Sequence, residues 1–218
     1  MMSLYQAVIF DRDGVLTDFN LEAAAAFFEP LLPLSVVELG QTWAKWGHKH
    51  GFPQNLSEEA TFWQAFWTHL SDQYALPATT QAHLHAVDYT DFLTPFVDAR
   101  PTLLAAKQAG LRIGVLSNFT LASLEPSLQV AGLADLVDVA CAAPVIGAAK
   151  PEPAAYQIVC QQLGVKPQQC LFFDDEPVCV TGAQAVGMDA YLVDRTQTEH
   201  NLPQNIVANL SALSSILS

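Results

Sequence analysis

The chain has 218 residues, of which 51% are hydrophobic and 14% are charged, so it can bury a substantial core and is not expected to be disordered. Its net charge of −13 argues against a nucleic-acid partner, because phosphate contacts need a basic surface. The apolar runs are shorter than the roughly 20 residues that a membrane span needs. We therefore expect an acidic protein that binds neither nucleic acid nor membrane.

The cysteines are scattered and form no CxxC pair, and the first residues lack the features of a secretory signal peptide. This pattern predicts a reduced, cytoplasmic compartment.

Five short apolar runs, rich in β-branched and aromatic residues and bounded by turn residues, predict buried strands. They cover residues 7–10, 113–116, 137–140, 170–173 and 190–193. Four helix-length segments lie between the later runs, at residues 102–108, 121–130, 152–163 and 178–186. Each segment is followed by a glycine, the usual C-terminal stop of a helix. The alternation predicts an α/β fold with a doubly wound parallel sheet.

The long interval after the first strand has the pattern of helices rather than of βα units. We therefore predict a core domain of residues 1–17 and 92–218, with a helical domain of residues 18–91 inserted after the first strand. Within it lie Trp43, Trp46, Trp63 and Trp67. Trp63 and Trp67 share a helix face with neighbouring apolar residues, which favours a small helical core over a ligand-stacking role.

Polar residues follow four of the predicted strands, and ligands of parallel sheets bind beyond the carboxyl ends of strands. In chain order these residues are Asp11 and Asp13, Ser117 and Asn118, Lys150, and Asp174 and Asp175. Each alone is typical of a turn or a helix cap. Together, several acids, a hydroxyl and one cation at a single sheet edge suit Mg²⁺ and a phosphate.

Four motifs after these strands are similar to those of the haloacid dehalogenase-like superfamily of hydrolases. They are "DRDGVLTD", "VLSNF", "KPEPAAY" and "FFDDEPVCVTGAQAVGM", in the order in which that superfamily carries them. The resemblance implies a Rossmann-like core, and it implies that the helical insertion is a type-one cap that closes over the site and contacts the substrate.

The resemblance also implies individual roles. Asp11 resembles a nucleophile that forms an aspartyl-phosphate. Asp13 resembles the general acid/base that protonates the leaving oxygen and then activates water. Lys150 resembles the cation that neutralises Asp11 and the transferred group.

The remaining implied roles concern phosphate and metal binding. Ser117 resembles a hydroxyl that holds a phosphoryl oxygen, supported by N–H groups near Asn118 at the start of the next helix. Asp174 resembles a Mg²⁺ ligand together with the Asp11 carboxylate and the Asp13 backbone carbonyl, and Asp175 resembles an outer or water-mediated partner.

Two positions depart from the motifs of relatives. Arg12 is bulky and charged where many relatives have an apolar residue, and Cys179 stands where Asn or Asp is frequent. Asp18, the last residue of the first motif, is interpreted as part of a turn leading into the helical insertion.

The stretch "WAKWGHKHGF" concentrates positive charge in the helical insertion. Lys45 and Lys49 are one helical turn apart and share a face. A solvated helix face is the plainer interpretation. The alternative is that Lys49 contacts an anionic part of the substrate.

The sequence thus predicts a Mg²⁺-dependent phosphatase, monomeric or homodimeric, that hydrolyses a small phosphorylated metabolite. A phosphomutase of the same superfamily would use the same aspartates. A 2-haloacid dehalogenase is disfavoured because the first motif of such enzymes lacks the second aspartate, which is Asp13 here. A non-enzymatic binding protein on this fold is a further alternative.

Overall fold

The computed structural model describes residues 4–218, which divide into two compact units. The first comprises the described residues up to Asp18 together with Pro95–Phe119 and Leu124–Ser218. The second comprises Phe19–Thr94 and the short segment Thr120–Ser123. The long segment of this unit begins one residue after the predicted start at 18 and ends three residues after the predicted end at 91.

The segment Thr120–Ser123 joins the second unit through a buried carboxylate. Glu59 accepts hydrogen bonds from the backbone N–H of Ser123 at 2.8 Å and from its hydroxyl at 2.6 Å. These two residues are far apart in the chain, so no local pattern predicts this contact.

The first unit contains a parallel sheet of six strands in the order β5-β4-β1-β6-β7-β8. These strands are β1 (Ala7–Phe10), β4 (Arg112–Ser117), β5 (Val139–Ala142), β6 (Cys170–Asp174), β7 (Asp189–Val193) and β8 (Ile206–Val207). The helices of this unit are α5 (Ala99–Gln108), α6 (Leu124–Val130), α7 (Ala143–Ile146), α8 (Pro153–Leu163), α9 (Pro177–Ala185) and α10 (Ala212–Ile216). The predicted α/β fold with a parallel, Rossmann-like sheet is therefore confirmed.

The buried residues of β1 alternate between two apolar clusters, one on each face of the sheet. Phe10 stacks on Phe173 in the first cluster, with ring centroids 5.4 Å apart. Ile9 and Phe172 belong to the second cluster, where Tyr156 meets Phe172 edge to face. Because both faces are covered, the central strands are apolar throughout, which explains their continuous hydrophobic runs.

Three elements differ from prediction by two or more residues at an end. Helix α5 begins at Ala99 rather than at residue 102. The third predicted strand lies at Val139–Ala142, and Asp138, which precedes it, accepts the N–H of Ile113 through its side chain at 2.7 Å. Helix α6 begins at Leu124 rather than at residue 121, which keeps Pro126 within the first turn, where its missing N–H costs no helical hydrogen bond. Strand β8 was not predicted, since two residues carry no periodicity.

The second unit is helical, with α1 (Leu21–Phe28), α2 (Val36–His50), α3 (Leu56–Gln73) and α4 (Ala78–Ala86). Its buried core contains Trp67, and the other three tryptophans pack partly buried against it. Trp63 stacks on Trp67 with ring centroids 5.7 Å apart. The predicted aromatic helical core is confirmed.

Two short strands, β2 (Thr17–Phe19) and β3 (Leu93–Pro95), pair with each other and contain the points where the chain passes between the units. Asp18 lies within β2, so its interpretation as a turn residue was wrong. Along the described chain, the helices are too short or too polar to cross a membrane.

Candidate active site

The strand register brings the predicted site residues to one level of the sheet edge. Phe10, the last residue of β1, pairs with Val115 of β4 and with Phe173 of β6. Asp11 follows β1 directly, and Ser117 and Asp174 are the last residues of their strands. All three are buried at that edge.

Lys150 joins two of the predicted acids. Its Nζ lies 2.8 Å from Oδ1 of Asp11 and 2.7 Å from Oδ2 of Asp174. The Lys150 and Asp174 side chains are 2% and 0% exposed. A cation buried this completely is stable only with its partners in place, so the three residues form one electrostatic unit.

Asn118 holds the backbone of Lys150 through a pair of hydrogen bonds. The Lys150 N–H donates to Oδ1 of Asn118, and Nδ2 of Asn118 donates to the Lys150 carbonyl, both at 2.8 Å. The side-chain amide thus serves to place Lys150. The expected helix start near Asn118 is wrong, because α6 begins only at Leu124, beyond the segment 120–123.

Ser117 is buried at the end of β4, and its Oγ accepts the backbone N–H of Phe119 at 3.1 Å. This contact ties the end of the strand to the backbone two residues further on. The Ser117 hydroxyl hydrogen is left to be donated to another acceptor, which is compatible with the predicted contact to a phosphoryl oxygen.

The neighbours Asp174 and Asp175 have different surroundings. Both oxygens of Asp174 are occupied, Oδ2 by Lys150 and Oδ1 by the backbone N–H of Glu176 at 2.9 Å. Asp175 is exposed. One carboxylate oxygen each from Asp11, Asp174 and Asp175 lies within 4.8 Å of the others, an arrangement that could hold a metal ion. We call these three residues the acidic cluster.

Gly14 lets the first motif approach Asp175 closely. Its φ of +73° is a left-handed conformation, and a Cβ added there would lie 2.2 Å from Oδ2 of Asp175. Only glycine meets both conditions. The glycine of "DRDG" therefore fits the acidic cluster sterically.

Among the described residues, Lys150 is the cation that pairs with the two buried acids of the cluster, Asp11 and Asp174, and the pKa values of the acids reflect this. Burial, with the charges of Asp174 and Asp13, raises the pKa of Asp11 to about 6 against the opposing effect of Lys150. Burial raises the pKa of Asp174. Asp175 is exposed as a residue, but partial desolvation of its carboxylate together with the Asp11 charge raises its pKa. Burial alone would lower the pKa of Lys150, but Asp11 and Asp174 outweigh it and raise it. The site thus has more negative charge than Lys150 offsets.

Asp13 lies apart from the acidic cluster and pairs with its neighbour in the chain. Oδ1 accepts from Nε of Arg12 at 3.0 Å, and Oδ2 accepts from Nη2 at 2.7 Å. Arg12, the bulky residue that departs from the motif of relatives, is therefore the hydrogen-bonding partner of Asp13.

Cys179 is also accounted for. Its buried Sγ donates to Glu176 at 3.1 Å, and its carbonyl accepts the hydroxyl of Tyr156 at 2.7 Å. Burial raises the pKa of the thiol, which keeps it protonated.

The sequence interpretation missed Arg195, which follows β7. Its Nε and Nη2 donate to the carbonyls of Gly14 and Val15 at 3.0 and 2.6 Å, and Nη1 pairs with Asp98 at 3.1 Å. Arg195 thereby holds the turn behind Asp13. A sequence signal for it exists, because Arg195 stands two residues after the fifth predicted strand, as the other polar site residues stand after the first four.

Lys49 belongs to the second unit, where it is exposed near the C-terminal end of α2. Its contact with substrate stays a prediction.

The fold and the strand-end site together define a Rossmann-like enzyme with an acidic active-site edge. The sequence model of the haloacid dehalogenase-like hydrolases matches residues 5–187. The chain belongs to this haloacid dehalogenase-like hydrolase family.

The chain is similar both to proteins named phosphatases and to proteins named haloacid dehalogenases. A protein named phosphatase from Mycobacterium tuberculosis is 39% identical, with 97% of this chain and 96% of the relative covered. (S)-2-haloacid dehalogenase 1 of a Pseudomonas species is 26% identical over 89% of this chain and 86% of its own length. A crystal structure of a phosphatase of this superfamily from Thermococcus onnurineus shares the fold, with a TM-score of 0.62, 24% identity and 98% of each chain covered.

Proposed function

We propose that the protein is a Mg²⁺-dependent phosphatase that hydrolyses a small phosphomonoester through an aspartyl-phosphate on Asp11. The observation that carries the proposal is the acidic cluster, in which one oxygen from each of three carboxylates lies within 4.8 Å of the others and Lys150 pairs with Asp11 and Asp174. Displacement of a halide by a carboxylate does not need such a cluster. Phosphoryl transfer does, because charge on the transferred group must be neutralised.

The cluster fits Mg²⁺ by the chemistry of its ligands. Carboxylate oxygens are the hard donors that this ion prefers. Oδ1 of Asp11 is buried and accepts no well-directed hydrogen bond from the described residues, although Lys150 Nζ lies 2.8 Å away. A carboxylate in one ion pair keeps lone pairs that can accept a second cation. A second acidic group, formed by Asp174, Glu176 and Cys179, contains a protonated thiol and suits Mg²⁺ less well.

Asp175 is the better direct ligand of the two adjacent aspartates. Asp174 is fully buried and uses both oxygens on Lys150 and Glu176, whereas Asp175 is exposed next to Asp11. We assign Mg²⁺ to Asp11, Asp175 and the Asp13 backbone carbonyl, and we assign Asp174 to holding Lys150. The resemblance had implied the reverse, with Asp174 as the direct Mg²⁺ ligand and Asp175 as the outer partner. The bound ion would supply positive charge that orients the phosphate and Asp11.

The residues then divide the reaction between them. An Asp11 carboxylate oxygen attacks phosphorus, while the bond from phosphorus to the ester oxygen breaks and the leaving oxygen takes a proton from Asp13. Lys150 and the Ser117 hydroxyl stabilise charge on the phosphoryl oxygens. Asp13 then accepts a proton from the water that attacks the acyl-phosphate. Inorganic phosphate leaves, and the Asp11 carboxylate is restored.

The decisive measurement compares phosphate release from a panel of phosphomonoesters with halide release from 2-haloacids, with Mg²⁺ and with a chelator. We expect phosphate release that needs Mg²⁺, and no halide release. The variant Asp11→Asn is the control, because both reactions require this carboxylate. Halide release that persists with the chelator, without phosphate release, would identify a dehalogenase.

The assignment of Asp175 predicts a change in Mg²⁺ binding. Loss of even an indirect partner of a metal costs about 10- to 100-fold in affinity, so Asp175→Asn is expected to weaken Mg²⁺ at least tenfold. The metal-free variant should be no less stable than the wild type, because one of the mutually repelling charges is removed. Calorimetric titration with Mg²⁺ and thermal unfolding measure both effects.

Glu176→Gln is the matched variant, since Glu176 is an exposed neighbour in the other acidic group. Weaker Mg²⁺ binding in Glu176→Gln with normal binding in Asp175→Asn would place the ion in that group instead.

A further inference from the structure

Arg12 is buried beside the proposed acid/base and engages all of its carboxylate. Its Nε and Nη2 donate to the two oxygens of Asp13, at 3.0 and 2.7 Å. The Arg12 side chain is 2% exposed, whereas that of Asp13 is 47% exposed. The cation of this pair therefore belongs to the protein interior, and the carboxylate lies at its surface.

The guanidinium is fixed by groups other than Asp13. Nη1 donates to Oγ of Ser127 at 3.0 Å, and that hydroxyl in turn donates to the Leu124 carbonyl at 2.6 Å. The carbon at the centre of the guanidinium lies 3.8 Å from the centroid of the Phe119 ring. Because Arg12 is held from two further sides, it dictates where Asp13 rests, and Asp13 is the partner that has room to move.

This resting position directs the Asp13 carboxylate toward Arg12 rather than into the acidic cluster. Both oxygens of Asp13 accept from Arg12, so the carboxylate is held facing the guanidinium and must turn to reach a leaving oxygen beside Asp11. The carboxylate also lies outside the acidic cluster, where the described ligand atoms are those of Asp11, Asp174 and Asp175. Asp13 must give up at least one contact with Arg12 before it can act.

We propose that Arg12 is a positioning residue that holds Asp13 withdrawn and thereby sets which leaving groups the enzyme expels well. The inference rests on the proposed phosphatase function. Aryl oxygens of low pKa depart without a proton, so the pair does not affect them. Alkyl oxygens need the proton of Asp13, so for these substrates opening of the pair adds to the barrier.

The test measures kcat/KM across a series from p-nitrophenyl phosphate through phenyl phosphate to alkyl phosphates. This ratio reports the steps up to departure of the leaving group. A partly exposed ion pair is worth at most about 1 kcal/mol, so Arg12→Met is expected to raise kcat/KM for alkyl phosphates roughly fivefold or less, with p-nitrophenyl phosphate nearly unchanged. The two effects together change the slope of log kcat/KM plotted against the pKa of the leaving group. Ser127→Ala removes only the hydrogen bond that anchors Arg12, so it should change this slope less than Arg12→Met does.

Arg100→Met is the matched control, since Arg100 also pairs with both oxygens of an aspartate, Asp135, on the exposed surface of α5. It should leave the slope as in the wild type. An unchanged or steeper slope in Arg12→Met would overturn the proposal. A general loss of folding in Arg12→Met would instead lower kcat/KM for all esters equally. Ser127→Ala, which keeps Arg12, distinguishes this case.

Failure of the proposed function is recognised separately, as absence of hydrolysis of every ester by the wild type. Crystal structures of the wild type and of Arg12→Met then decide the inference without activity. A displaced Asp13 carboxylate in the variant supports it, and a carboxylate that keeps its wild-type position refutes it.

Discussion

Replacing Lys150 by methionine is expected to lower the free energy of unfolding by about 3–5 kcal/mol and to abolish turnover. The substitution leaves Asp11 and Asp174 buried without the Nζ that lies 2.8 and 2.7 Å from them. Uncompensated buried charges cost far more than the pair contributes in net terms. Urea denaturation of the metal-free protein measures the loss.

The loss should be smaller at acidic pH. The pKa of Asp11, already about 6 with Lys150 present, rises further without it. A carboxyl whose folded-state pKa is above its unfolded value destabilises the fold as pH rises through that pKa, and a proton removes the penalty at lower pH. The difference between wild type and variant therefore grows from acidic to neutral solution.

Lys107 provides the matched control, because its Nζ lies 2.6 Å from Asp138 but both side chains are partly exposed, at 34% and 39%. Lys107→Met should cost less than about 1 kcal/mol. The double variant Lys150→Met with Asp174→Asn should recover part of the stability. Equal losses in Lys150→Met and Lys107→Met would mean that the buried acids are not held by charge.

The second large effect is expected at Asp13. Asp13→Asn should lower kcat for alkyl phosphomonoesters by about 10²- to 10⁴-fold, the usual contribution of a general acid or base. The amide keeps the size of the side chain and can still accept from Arg12, so the fold should persist. Steady-state kinetics together with the thermal unfolding curve separate the two effects.

Asp18→Asn is the control for this variant, since Asp18 lies in the same motif but is exposed on β2. It should retain wild-type kcat. Full activity of Asp13→Asn would remove the acid/base assignment, and with it the main sequence argument that separates a phosphatase from a haloacid dehalogenase in this family.

The positions of Asp11, Ser117, Lys150 and Asp174 at one sheet edge could be predicted because they depend on the chain's local pattern. Buried strands are recognisable as apolar runs, and parallel strands end at one edge. Side-chain direction is a different matter. Asp174 and Asp175 are adjacent and chemically identical, and only packing turns one toward Lys150 and leaves the other exposed.

Contacts between distant residues decided the rest. Arg195 donates a hydrogen bond to the Gly14 carbonyl. Asn118 accepts the backbone N–H of Lys150. Arg12 donates to Ser127 on α6. The sequence by itself determined the parallel α/β core and the set of chemical groups at its edge, because strand periodicity and strand-end order are local properties. The tertiary structure alone decided which acids Lys150 and Arg195 hold, since that depends on distances between segments separated along the chain.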